Sequence, residues 1–277
     1  MTSARTFEAE RNAALSAWYR ATARPFPWRA THDPYLILVS EVMLQQTQAE
    51  RVVPVFERFV AEFPTPRVLA AAPLARVLAA WSGLGYNARA QRLRAAAEIV
   101  AHEGWPDTVA GLQELPGVGP YTARAVASFA FGVDVPAVDT NLRRVLSRWH
   151  GEELTHSALD HVAEHDLGED AAEWNQAMMD LGATICRPRA PLCDTCPVEQ
   201  WCAGPDAYVP PRRQGRFQGS SRQLRGAIIR RLVAGSATFT ALVECTGFGP
   251  VAVQAALRDL SADGLIEPDE DEWAIAE

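Results

Sequence analysis

Four of the chain's five cysteines fall within the seventeen residues CRPRAPLCDTCPVEQWC, at Cys186, Cys193, Cys196 and Cys202. Thiolates are soft ligands, and four of them closing on one object suit zinc or an iron–sulfur cluster. Structural zinc sites usually come as two close pairs of Cys or His, each on its own knuckle. The spacing here, C-x6-C-x2-C-x5-C, has one close pair with a lone cysteine on either side. On spacing alone a cluster, a zinc site and unligated core cysteines all stay open. Cys245, far off in the sequence, reads as a small core residue.

Two carboxylates stand out next. Glu41 lies in the apolar run PYLILVSEVMLQQTQ, where its helical neighbours three and four residues away are Ile37, Leu38, Leu44 and Gln45. A carboxylate there is poorly solvated, which raises its pKa and suits a general acid near neutral pH. A core-edge Glu paired with an Arg gives the same pattern. Asp139 precedes a helix in AVDTNLRRVLSR, the place of an N-cap, ahead of Arg143, Arg144 and Arg148. Between the two acids lies LPGVGPYTARA, in which a helix ends at Leu115, Pro116 opens a turn, and Gly117 and Gly119 permit a tight hairpin. Glycines in such a turn let backbone N–H groups approach a phosphate at a helix N-terminus, whose dipole favours anions. A plain link between two helices has the same signature.

These residues must be positioned almost entirely by helices. Apolar residues recur at a spacing near 3.6 through Phe7–Ala23, Pro34–Gln48, Val52–Phe63, Leu74–Gly83, Arg89–Ala101, Ala123–Phe131, Leu142–Trp149, Ser157–Leu167 and Glu173–Thr184. Pro or Gly separates most of them. After Cys202 the stretch GPDAYVPPRRQGRFQGSSRQ has the composition of a linker. Beyond it, RQLRGAIIRRLVAG, TFTALVECTGF and VAVQAALRDLSADGLIE read as three short helices and EWAIA as a strand, the pattern of a small winged-helix-like domain.

The net charge is −8, but it is unevenly spread. Residues 151–182 carry nine acids and no Lys or Arg, and residues 244–277 carry nine acids against Arg258 alone. The rest of the chain has 25 bases against 16 acids, so overall acidity does not exclude a polyanionic partner. All 26 basic residues are arginine, which excludes chemistry through a lysine amine. The N-terminal stretch MTSARTFEAERNAALSAWYR reads as an amphipathic helix without an apolar h-region, and YLILVS is too short to span a bilayer. The expectation is a soluble cytoplasmic protein, nucleoid-associated if bacterial, with no membrane contact and no disulfide framework.

Taken together, PFPWR, SEVMLQQTQ, GLGYNAR, LPGVGPYTARA, AVDTN, NQAMMDLGATIC and the cysteine loop resemble, in order, the MutY-type adenine DNA glycosylases, the iron–sulfur branch of the helix-hairpin-helix superfamily. The likeness covers residues 20–205. It implies an all-α, two-domain helix-hairpin-helix glycosylase fold: a six-helix barrel over 31–140 and an iron–sulfur cluster domain from 1–30 and 141–218, to which the residue pattern adds a linker with the winged-helix-like tail over 219–277. It implies a [4Fe–4S] cluster on Cys186, Cys193, Cys196 and Cys202, and a monomer acting on double-stranded DNA with a mismatched or damaged base pair. Glu41 would protonate adenine at N7, Asp139 would stabilise the sugar cation, and Tyr121 and Asn141 would support them. Gln45 and Tyr86 would fill the gap left by the flipped base, with Gln46 and Thr47 beside them. Gly117, Val118 and Gly119 would hold a phosphate, and Arg143, Arg187 and Arg189 would face DNA.

The sequence also departs from the family's habit. Asp139-Thr140-Asn141 stands where the family often has Asp-Gly-Asn, and Asn87 where a second Tyr is common. Relatives with lyase activity carry a nucleophilic Lys in the hairpin helix, where this chain has Tyr121. A short tail is expected in place of the Nudix-related domain that usually reads 8-oxoguanine. The expected activity is removal of adenine opposite guanine or 8-oxoguanine without strand cleavage. The alternatives are a glycosylase taking thymine or uracil opposite guanine, and a non-enzymatic iron–sulfur DNA-binding regulator.

Overall fold

The computed structural model describes residues 2–210 and 215–277, so residues 211–214 of the expected linker lie outside the described residues. Among the described residues the chain forms fourteen α-helices and one small sheet. In chain order the helices are α1 (Thr2–Thr22), α2 (Pro34–Leu44), α3 (Ala49–Glu62), α4 (Pro66–Ala70), α5 (Leu74–Ala80), α6 (Ala88–Glu103), α7 (Val109–Gln113), α8 (Pro120–Phe131), α9 (Thr140–His150), α10 (His156–Asp166), α11 (Ala171–Thr184), α12 (Ser221–Val233), α13 (Phe239–Thr246) and α14 (Pro250–Ala262). Local chemistry sets their ends. Asp139 caps α9 and Asp170 caps α11 through backbone N–H groups, while Gly132 and Gly151 close α8 and α9 in the left-handed conformation.

The expected helices are present, with shifted ends. The second stops at Leu44 rather than Gln48, because Gln46 adopts φ 57° and turns the chain out of the helix. Helices α4 and α7 were not anticipated: five residues are too few to show a helical period.

Contacts divide the chain into two compact units. One comprises Met1–Pro34, Asp107–Leu112 and Gly119–Arg212. Its core gathers Leu15 and Tyr19 of α1, Leu142, Val145, Leu146 and Trp149 of α9, and Trp174, Met178 and Leu181 of α11. Two buried carboxylates secure it: Asp180 pairs with both Arg24 and Arg29, and Asp166 pairs with Arg11 and lies 2.7 Å from His150 Nε2. Asn175 ties α11 to the chain after α8, donating to Ser128 Oγ at 3.1 Å and Val135 O at 2.9 Å while accepting from Ala137 N.

The other unit comprises Tyr35–Pro106, Gln113–Val118 and Arg213–Glu277. Phe59 packs edge-on against Phe63 and Trp81, and the Tyr35 hydroxyl donates to Phe63 O at 2.6 Å. These units are cut differently from the 31–140, 1–30 with 141–218, and 219–277 ranges of the family's domain division. Residues 119–140 group with α9 and α11 through Asn175, and the tail groups with the barrel helices because α12 packs on α5 and Gln91 Nε2 of α6 donates to Gly264 O at 2.8 Å.

The tail is winged-helix-like. Helices α13 and α14 meet at a bend of 112° across the turn Gly247-Phe248-Gly249. Strands β1 (Ala237–Thr238), β2 (Ile266–Asp269) and β3 (Glu272–Ile275) form an antiparallel sheet in the order β1-β3-β2, with Ile266 opposite Ile275. EWAIA is therefore the central strand, and its partner β2 hid in the sequence behind a proline, Pro268. Among the described residues no single helix is long and apolar enough to cross a membrane.

Candidate active site and cysteine loop

Asp139 is fixed by the helix it caps. Its Oδ1 accepts from Asn141 N at 2.8 Å and Leu142 N at 2.7 Å, and its Oδ2 accepts from Asn141 Nδ2 at 2.7 Å. Burial pushes the Asp139 carboxyl above the ordinary aspartate value, against the hydrogen bonds from Leu142 and Asn141 and the charge of Arg144. The network continues inward. Arg144 Nη2 donates to Asn141 Oδ1 at 2.8 Å and Gly182 O at 2.7 Å, while its Nε donates to Cys186 O at 2.7 Å. The structure thus joins Asp139 to Asn141, and both to the first cysteine, through one guanidinium. Helix α11 reaches α9 closely here because residue 182 has no side chain: a Cβ on Gly182 would lie 2.6 Å from Asn141 Cβ. Tyr121, on α8, has its hydroxyl 4.0 Å from Met179 Sδ of α11.

The cysteine loop is held by a second arginine one turn further along α9. Arg148 donates to the carbonyls of Arg187 (2.8 Å) and Pro205 (3.0 Å) and to Cys186 Sγ (3.2 Å), and its own carbonyl accepts from the Cys202 thiol at 3.4 Å. Tyr208 lies over both guanidiniums, 5.8 Å from Arg144 and 5.7 Å from Arg148. The four cysteines, with Trp149, Leu181 and Ile185, line a cavity of about 100 Å³. Burial pushes the Cys196 thiol up to about 11 and raises that of Cys202. Among the described residues, Glu8, His165 and Asp166 form an acidic trio whose ligand atoms lie within 4.8 Å of one another. The acidic trio itself is committed elsewhere, since Arg11 pairs with Asp166 at 3.0 Å.

Glu41 belongs to the other unit. It is 4% exposed on α2, in the midst of the buried Ile37, Leu38 and Val42. Just past the helix, Thr47 N donates to Leu44 O at 3.1 Å, and Gln45, Gln46 and Thr47 form a turn. Tyr86, at φ 49° and 38% exposed, tips the loop before α6. Gly117 needs its glycine twice over, for φ 80° and because a Cβ would stand 2.9 Å from Arg92 Cβ. Val118 N closes the turn on Leu115 O at 3.1 Å, and Gly119 is the extended N-cap of α8. Arg143 pairs with the exposed Glu153 at 2.9 Å, and the exposed Arg187 donates through Nε to Thr184 O at 3.0 Å.

Sequence reasoning named Arg144 and Arg148 only as members of a basic helix, and missed Gly182 as a support of the site. Two arginines four residues apart on the buried face of α9 were the available signal. Nothing in the sequence marked Gly182.

Residues 39–165 match the family HhH-GPD, the HhH-GPD superfamily of base excision DNA repair proteins, which sets the class of the fold and its hairpin. A thermostable thymine-DNA glycosylase superposes with TM-score 0.69 and 30% identity over 74% of this chain and 99% of its own. Endonuclease III, in a non-covalent complex with DNA, shares the fold with TM-score 0.61 and 24% identity over 70% of this chain and 94% of that one. The adenine DNA glycosylase of Mycobacterium tuberculosis (strain ATCC 25618 / H37Rv) is 42% identical over 91% of this chain and 88% of its own length. That of Homo sapiens is 41% identical over 68% of this chain and 40% of its own. The chain belongs to the adenine DNA glycosylases of the helix-hairpin-helix superfamily.

Proposed function

We propose that the protein hydrolyses the N-glycosidic bond of adenine mispaired with guanine or 8-oxoguanine in double-stranded DNA, and stops there. The observation that carries this reading is the capped, partly buried Asp139, whose oxygens are aimed by Asn141 and the first turn of α9. Glu41 gives its proton to N7 of the flipped adenine, the C1′–N9 bond breaks, and the electron pair leaves with the purine. Asp139 stabilises the resulting sugar cation and adds to C1′. A water, losing its proton to the Glu41 carboxylate, then releases the sugar as in retaining glycosidases. Asn141 holds Asp139 in place, with Tyr121 as a further support on the same unit. Gln45, Gln46, Thr47 and Tyr86 occupy the opened stack, and Gly117, Val118 and Gly119 bind a backbone phosphate through their N–H groups. Arg143, Arg187 and Arg189 supply positive charge towards the duplex. With no lysine in the chain, no Schiff base forms and the strand is left intact.

Cys186, Cys193, Cys196 and Cys202 would hold a [4Fe–4S] cluster, a reading supported by the one cavity they line together and by the likeness to the family. When bound, the cluster supplies a four-point cross-link to a loop with little apolar core of its own. The protein acts as a monomer in the compartment that holds the DNA.

The likeness to a thymine-DNA glycosylase, with Thr140 beside Asp139, keeps thymine or uracil opposite guanine as a second reading. Single-turnover assays on duplexes with A, T or U opposite G or 8-oxoguanine decide between them. Adenine release from both mispairs, with strand breaks only after alkali, is the expected result. Release of thymine or uracil without adenine would overturn the adenine assignment.

A further inference from the structure

Arg89 is a buried arginine whose guanidinium is taken up by main-chain carbonyls. Its Nη1 donates to the carbonyls of Val42 (2.6 Å), Met43 (3.2 Å) and Gln45 (2.7 Å), and its Nη2 to those of Leu84 (3.4 Å) and Gly85 (3.2 Å). The guanidinium lies between two rings, 5.4 Å from Trp81 and 5.5 Å from Tyr86. Five main-chain oxygens on two separate segments therefore share one cation. Burial lowers the Arg89 pKa to about 10, with the Tyr86 hydroxyl opposing the shift.

The two segments are unusual in the same way. Each carries a non-glycine residue in the left-handed region right after a captured carbonyl: Gln46 at φ 57° follows Gln45, and Tyr86 at φ 49° follows Gly85. Such conformations persist only where the surroundings fix them, and they cluster where a protein presents a side chain for use. The second loop is fastened further by Arg51, which donates to Gly83 O, and by Trp81 Nε1, which donates to Gly85 O at 3.1 Å. Three consecutive carbonyls leading up to Tyr86 are thus engaged.

We propose that Arg89 is a positioning residue for mispair recognition, holding the Gln45–Thr47 turn and the Tyr86 turn as one preformed unit that enters the DNA stack. The inference rests on the adenine-mispair reading above. Without Arg89 each turn relaxes separately, and the opened stack must order them on binding. A lysine cannot replace it, because an ammonium has three donors and no planar fork to span five acceptors on two segments.

The test uses the full-length holoprotein with Arg89→Lys and Arg89→Met, on two duplexes: adenine opposite 8-oxoguanine, and adenine opposite a one-nucleotide gap with no base to read. If wild type releases adenine from neither, the parent reading fails and Arg89 is not at issue. Given wild-type activity, both variants should lose at least tenfold more single-turnover rate on the mispair than on the gap. They should also weaken the fluorescence rise of a 2-aminopurine placed beside the target. Equal losses on the two duplexes, or none, would overturn the proposal. A measurement on wild type guards against variants that do not fold: amide exchange at residues 45–47 and 83–87 should slow together and by the same factor on binding the mispair. Independent protection of the two segments would sink the idea.

Discussion

Nη1 of Arg148 sits 3.2 Å from the sulfur of Cys186, and the same guanidinium donates to the carbonyls of Cys186, Arg187 and Pro188 within 3.4 Å. A buried cation donating to a thiolate ligand orients that ligand and offsets its charge, as outer-shell partners do at metal centres. Replacing Arg148 by Ala should lower the iron bound by purified protein below about four atoms per chain and bleach its blue-region absorption. Global stability should fall by about 2–3 kcal/mol, the scale of a charged hydrogen bond. Arg148→Lys should recover part of the iron. A colourless wild-type preparation with stoichiometric zinc would refute the cluster itself.

Asp139→Asn should bind a mispaired duplex nearly as wild type does but lose more than tenfold in excision, over about 1.4 kcal/mol of transition-state stabilisation. The amide can still accept from Asn141 N and Leu142 N, but it cannot stabilise a cation. Glu41→Gln should lose a similar amount for want of a proton. The acid limb of the wild-type rate profile follows from the raised Asp139 pKa. Activity needs the carboxylate, so the rate should begin to fall at a pH above the ordinary aspartate range. A limb at or below that range would contradict the assignment.

Gly182→Ala tests the close approach of α11 to α9. The added methyl would overlap Asn141 Cβ and stand 3.3 Å from its Cα, so the backbone at the start of α9 must move. Overpacking of this kind costs roughly 1–3 kcal/mol. Because the displaced residue is Asn141, catalysis should suffer more than stability. An excision loss of a hundredfold with a midpoint shift of only a few degrees is the expected pattern; the reverse ordering would make Gly182 a packing residue only.

Stability at low pH should depend on Asp180. Burial pushes its carboxyl up, but hydrogen bonds and charge from Arg29 and Arg24 outweigh this and hold it below the usual value. The folded pKa is lower than the unfolded one, so this contribution is complete above about pH 4 and is lost as pH falls through the folded value. Asp180→Asn should therefore cost about 3 kcal/mol near pH 7, since it strands two partly buried arginines. The difference between wild type and variant in urea unfolding should shrink below about pH 4. A constant difference across that range would rule out the linkage.

The tail packs on the helices of its own unit. Helix α12 buries Leu224, Ile228, Ile229 and Leu232 and packs on α5, and Gln91 is tied to Gly264. The outward side of α14 offers Val251, 83% exposed, and Arg258 as its one base, a poor surface for phosphates. Removing residues 219–277 should lower the melting temperature and reduce excision from A:G and A:8-oxoguanine by similar factors. A selective loss of the 8-oxoguanine preference would show lesion reading by the tail.

Much of this was legible in the sequence, because helical periodicity and a few chemical residues are local signals. The cysteine spacing, the Asp139 cap and the glycine turn could each be found by inspection. What stayed hidden was tertiary. Gly182 matters for a side chain it lacks, and only the distance to Asn141 reveals it. Arg89 looks like any arginine at a helix start until the carbonyls of two distant segments converge on it. The extra reach expected of α2 failed because a backbone turn at Gln46 outweighs good helix-forming residues.

The interleaving of the two compact units bears on how the protein is made. One face of α5 is covered by α12, which leaves the ribosome only with the last quarter of the chain. At roughly 5–20 residues per second, the nascent α2–α6 segment waits on the order of ten seconds for that cover. During that interval its apolar surface is open to chaperones and to other nascent chains. Synonymous codons that slow translation between α6 and α12 should lower the soluble yield of this protein while leaving the specific activity of the soluble fraction unchanged.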